Sequence, residues 1–219
     1  FRDKSYFNDD ISKWNVSNVT NMDRMFWGDT SFNQDISGWE VGNVTNMRSM
    51  FNGASSFNQP LNGWDVGKVD TMFNMFSYNA TDGVSPLKHF PESSFNMPLN
   101  DWDVGAVTTM EGMFWGASSF NQDISGWDVS GVTNFYRMFN GASAFNQPLA
   151  KWNMKSAESI GIMFNSSAFN QDISGWNTSN VMYTSWMFGS SNFNHPINTQ
   201  DVSDNYGYNN GQDYKAWDI

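Results

Sequence analysis

The chain has 219 residues and a formal net charge of −11. That acidic balance excludes nucleic acid and anionic membrane surfaces as partners, because phosphate recognition needs clustered Lys and Arg. It contains no cysteine, so neither a disulfide framework nor a thiolate zinc site is available, and without a run of about 18 apolar residues no membrane-spanning segment is expected.

Aromatic residues reach 17% while Leu is rare and Asn, Ser and Gly are abundant, a balance that fits a repeat array. In chain order, a Phe-Asn pair recurs at Phe7, Phe32, Phe57, Phe95, Phe120, Phe145, Phe169 and Phe193. The intervals are 24 or 25 residues, except the third, which is 38. A period in this range predicts stacked units that bury a continuous core only against one another. The chain opens at Phe1 with neither Met nor a signal-like segment, as expected of a processed product or a fragment. We expect one domain over residues 1–219: repeats over 7–202, an insertion at 77–94 in the third repeat, and a cap or linker over 203–219.

Within a unit, Ile36, Trp39 and Val41 follow an L-x-x-L-x-L spacing, which predicts a short parallel strand with alternate residues inward. Val44, Met47, Met50 and Phe51 recur at three, three and one, which predicts a short α-helical or 3-10 arm. Thr45 or Asn43 would cap that arm and Gly53 would end it. Units about 5 Å apart give a rod roughly 40 Å long for eight of them. Trp14, Trp39, Trp64, Trp102, Trp127, Trp152 and Trp176 form an inward column. The Asn after each Phe, Asn8 to Asn194, predicts a ladder of side-chain amides at a turn. Four units then read Asp-Ile-Ser, from Asp10, Asp35, Asp123 and Asp172; the other four place Pro60, Pro98, Pro148 and Pro196 there. Asp and Pro interchange where each can set a tight turn, whereas a catalytic or metal-binding carboxylate could not become Pro in half the copies.

Trp14–Ser37, Trp39–Asn62 and Trp127–Ala150 carry the pattern W-x-V-S-N-V-T-N-M-x-x-M-F-x-G-A-S-S-F-N-Q-D-I-S. This pattern resembles the BspA-type leucine-rich repeats, and within them the variant common in mycoplasma lipoproteins and in other bacterial and protist surface proteins. The resemblance spans about Phe7 to Val202, with departures at Met154 and Ala157 in the sixth unit and at Gln200, where Trp belongs. It implies a leucine-rich-repeat-like solenoid, with short strands on one face and short helical arms on the other. It also implies cell-surface or extracellular display, adhesion, and binding of host or matrix proteins. It brings no catalytic residues.

In a repeat array, function belongs to exposed or irregular positions. The outward column contains Glu40, Asp65, Asp103 and Asp128. These carboxylates would favour a basic partner or a bound calcium ion, or would simply form a solvated acidic face. The insertion Ser77–Ser94 carries His89 and a sequon at Asn79, the best glycosylation acceptor if the source is eukaryotic and secretory. Trp27, Trp115, Tyr136 and Trp186 lie outside the core columns and are candidate binding anchors; Trp27 and Trp115 could instead cover the insertion or a neighbouring loop. No nucleophile motif or phosphate loop occurs. Together with what the resemblance implies, the expected function is a non-enzymatic surface module that binds a protein or glycan. The alternative is a self-associating subunit of an extracellular filament or coat.

Overall fold

The computed structural model describes residues 1–78 and 91–196. Successive units lie parallel. Single β-bridges join Asn21 to Asn46, Asn46 to Thr71, Thr71 to Thr109, Thr109 to Asn134, Asn134 to Ser159 and Ser159 to Tyr183. The Thr71–Thr109 bridge spans the long third interval, so the insertion leaves the stack unbroken. The chain departs after Tyr78, whose N–H donates to the Trp115 carbonyl, and rejoins at Ser94, whose N–H donates to the Ser55 carbonyl.

The expected helical arm is not formed: among the described residues there is no α- or 3-10 helix. The second unit shows the reason. The N–H groups of Met47, Ser49, Phe51 and Gly53 donate to Thr71, Phe73, Met75 and Ser77 of the next unit. Those of Met50, Asn52 and Ala54 close turns onto Met47, Ser49 and Phe51, and that of Arg48 goes to the Asn46 amide oxygen at 2.9 Å. Every donor from Met47 to Ala54 is satisfied, half of them across the stack, which leaves none for an i to i−4 ladder. The positive φ of Ser49 (52°) and Gly53 (73°) also breaks any helix. Two consecutive turns reproduce the three-three-one apolar spacing that a helix would give.

The expected strand at Ile36–Val41 is likewise replaced by turns. Trp39 N–H bonds the Ile36 carbonyl at 3.0 Å, and Val44 N–H the Val41 carbonyl at 2.8 Å. Ile36, Trp39 and Val41 are still buried as expected. The parallel pairing sits instead at the Asn46 position, and only as isolated bridges.

Two phenylalanine columns fill the core. Within a unit, Phe51 stacks on Phe57 at 4.1 Å and Phe114 on Phe120 at 3.9 Å. Between units, Phe51 meets Phe76 at 5.5 Å and Phe114 meets Phe139 at 5.7 Å. The tryptophans tie this core to the backbone. Trp64 Nε1 donates to the Ile36 carbonyl at 3.2 Å, Trp102 to Leu61 at 2.8 Å and Trp127 to Leu99 at 2.9 Å. Each indole reaches the unit before its own, so burial leaves no polar atom of the ring unpaired. Trp14, in the first unit, is 48% exposed.

The Asn ladder runs the length of the stack. Asn33 N–H donates to Asn8 Oδ1, Asn58 to Asn33, Asn96 to Asn58 and Asn121 to Asn96, each at 2.9 Å. It continues through Asn146 and Asn170 to Asn194. Gln59, Gln122 and Gln147 add a second rung by donating to the same asparagines. At the eighth unit His195 takes that place, with Nε2 3.1 Å from the Asn170 carbonyl.

Candidate functional site

The outward acidic column is exposed at Glu40, Asp65, Asp103 and Asp128. Three of its members are engaged in their own turns. Asp65 Oδ1 accepts from Gly67 N–H at 3.2 Å, Asp103 from Gly105 at 3.1 Å and Asp128 from Ser130 at 3.0 Å. Asn15, Asn153 and Asn177 of the same column make the same bond two residues on. This is the side-chain mimic of a backbone turn, which needs an oxygen at that position and not a charge. Bonds from the Ser130 hydroxyl and backbone hold the Asp128 carboxyl below its usual value. Glu40, whose longer side chain does not close the turn, lines an open hollow with Ser17, Ser37, Asn43 and Asp65. Among the described residues no three His, Cys, Asp or Glu converge as metal ligands would.

The Asp-Ile-Ser residues behave the same way. Asp10, Asp35, Asp123 and Asp172 each accept from the serine N–H two residues on at 2.9 Å. The serines' backbone and hydroxyl bonds hold these carboxyls below their usual value.

The four aromatic anchors separate into different roles. Trp27 is not exposed: only 1% of its surface is accessible. The N-terminal segment covers it, with Asp3 N–H bonded to its carbonyl at 2.7 Å and the Arg2 guanidinium 4.9 Å from its ring centre. Trp115, in the same column, is half-buried. Tyr78 meets it edge-on at 6.2 Å and the Arg137 guanidinium lies 4.9 Å from its ring. Trp115 thus packs against Tyr78, the last residue described before the insertion. Gly116 makes this possible, because a Cβ there would fall 1.7 Å from the Tyr78 ring. Tyr136 is half-buried, with the same Arg137 guanidinium 4.8 Å from its ring. Trp186 is 44% exposed at the far end of the described stack. His89 and Asn79 lie outside the described residues, as do residues 203–219.

Sequence reasoning passed over the arginines. The chain has four: Arg2, Arg24, Arg48 and Arg137. The last three fall in two adjacent columns, two or three residues after Asn21, Asn46 and Asn134. Arg24 N–H donates to the Arg48 carbonyl at 2.9 Å, which brings their units side by side. The Arg48 guanidinium lies 4.4 Å from the Phe73 ring centre. Glu111, in the same column as Arg48 and Phe73, is pushed up by burial; a 2.9 Å bond from Asn134 Nδ2 and the charges of Arg137 and Arg48 oppose that shift. The signal that could have found this face is positional. In a chain with so few cations, three guanidiniums in neighbouring columns are not a scattered surface charge.

Family models match residues 1–90, 88–168 and 160–213, each described as "Mycoplasma protein of unknown function, DUF285". The chain belongs to that family, and carries three successive matches to it. No curated protein and no solved structure matches the chain. No helix among the described residues is long and apolar enough to cross a membrane.

Proposed function

We propose that the chain is a non-enzymatic protein-binding or adhesion module, displayed extracellularly or at the cell surface, on a BspA-type leucine-rich-repeat-like solenoid. One observation carries this reading. The repeated polar side chains are engaged in holding the stack, whereas the half-buried Trp115 and Tyr136 and the exposed Trp186 are aromatics that most units lack at the same columns. Asparagines form the ladder, aspartates close turns, and indoles cap carbonyls. Trp115, Tyr136 and Trp186 have no such duty, and residues of this kind dominate binding energies at protein interfaces. The same engagement supports a non-enzymatic role, since each turn carboxylate is one of several equivalent copies.

The test is retention of the purified chain on arrays of matrix proteins and glycans. A monodisperse monomer captured by a protein, with capture weakened by about tenfold or more in Trp186→Ala, is the expected result. No capture by any protein would sink the reading, and filaments seen by electron microscopy would replace it with the coat-subunit alternative.

A further inference from the structure

The face that carries Arg24, Arg48 and Arg137 has properties the acidic column lacks. Its guanidiniums are positioned but not satisfied. Arg48 lies on Phe73, and Arg137 lies between Trp115 and Tyr136. Neither guanidinium makes a hydrogen bond or ion pair among the described residues. Arg48 Nε is buried without a partner, and so are Arg24 Nε and Asp23 Oδ1 beside it. Among the described residues the Arg24 guanidinium pairs only with its neighbour Asp23, at 3.4 Å. A buried guanidinium donor normally finds an acceptor. Arg48 Nε is closed to solvent, so an incoming carboxylate would meet the terminal Nη groups of the half-buried fork, the pair that takes a carboxylate through two parallel bonds.

We propose that this face docks an acidic segment of a partner protein, in extended conformation along the stack, through carboxylates on Arg48 and Arg137. The inference rests on the reading of the chain as a binding module and names the chemistry of its partner. The register supports an extended peptide. Arg48 and Arg137 are three units apart, through the bridges Asn46–Thr71, Thr71–Thr109 and Thr109–Asn134. At the spacing of paired strands that is roughly 14 Å. Side chains at i and i+4 of an extended segment leave on the same face about 13 Å apart. Phe73 and Tyr136, the half-buried rings that carry the two guanidiniums, leave only their remaining surface to the intervening side chains, and the mix of Arg, Tyr and Trp is that of a protein interface. Glu111 lies between the arginines as an internal competitor. Its carboxylate is held by Asn134 and bonds neither guanidinium, so it weakens the field without closing the site.

The experiment is titration calorimetry of the whole chain with synthetic peptides of about ten residues, long enough to span both arginines. One peptide carries Glu at i and i+4, one carries Lys at the same places, and a soluble oligouronate serves as the carbohydrate arm. The expected result is binding of the Glu peptide alone. Arg48→Met and Arg137→Met, which keep the packing on the rings, should each weaken it by about tenfold. Glu111→Gln should tighten it. Arg48→Lys and Arg137→Lys, with charge retained and the fork lost, should fall between. The proposal is overturned if the Glu peptide does not bind, if the Met variants bind it unchanged, or if the oligouronate binds in its place. Should the double Met variant still be retained on the protein array, the binding-module reading stands and this face is not its site.

Discussion

At the scale of single residues, one oxygen or ring atom often decides whether a position is structural. Asn121 accepts the Asn146 N–H at 2.9 Å and also receives Gln147 Nε2 on its own carbonyl and amide oxygens. Asn121→Ala would hand an exposed backbone donor to water in place of its acceptor, so it should lower unfolding stability by about 0.5–1.5 kcal/mol in a denaturant titration. Asp29 is a different case. It stands where Ala54, Ala117 and Ala142 stand in other units, and is fully buried. Its Oδ1 accepts the Lys4 N–H at 2.6 Å, while Oδ2 has no partner. Burial raises its pKa to about 7, against the opposing Lys4 bond. Between the ordinary carboxylate range and about pH 7 the folded chain therefore holds a proton that the unfolded chain releases, and stability falls as pH rises through that window. Asp29→Asn, which retains an acceptor for Lys4, should raise stability on the order of 2 kcal/mol at about pH 8 and change nothing at about pH 4. The turn aspartates have the opposite sign. Their lowered pKa values contribute stability that is present above the ordinary value and lost as pH falls through the folded one.

At the scale of the element, the unit is a train of turns and not a strand followed by a helix. Its sequence pattern was legible: Met47, Met50, Phe51 and Ala54 are buried as their spacing predicts. The spacing could not say which hydrogen bonds go with it, because turns at successive three-residue steps and a helix place side chains on one face alike. The tell-tale is the residue with positive φ in each turn: Arg24, Ser49, Asn74, Gly112, Arg137, Ile162 and Trp186 in one column. Ile162, at φ 58°, is the costly member, because a β-branched side chain crowds the left-handed region. Ile162→Asn should relieve that strain and raise stability by about 1 kcal/mol, read as a higher melting temperature. A fall of similar size would show that the packing of the Ile162 side chain outweighs the strain.

At the scale of the whole molecule, each unit touches its neighbours and little else, so stability is a sum of nearest-neighbour interfaces. Phe95 and Phe120 have a neighbouring ring on either side, 6.1 Å and 6.2 Å for Phe95. Trp14 at the first unit and Trp186 at the last described one stand 48% and 44% exposed. Hydrogen exchange should therefore be slowest for the inter-unit donors of residues 95–145 and faster by about tenfold or more toward residues 8–20 and 182–194. Uniform protection along the chain would mean that the stack opens only as one unit.

The sequence by itself determined the period, the buried columns, the Asn ladder and the kinship with mycoplasma-type repeats, because each is written once per unit and repeated. Periodic patterning survives without knowledge of which bonds join the units. Only the tertiary structure decided what lies between units. It placed the pairing at Asn46 instead of Ile36–Val41, buried Trp27 under the N-terminal segment while leaving Trp115 half-open beside Tyr78, and set Arg24 against Arg48. Those outcomes depend on what the adjacent turn of chain presents at the same height. That neighbour is some 25 residues away along the chain, and no local spacing reports its side chain.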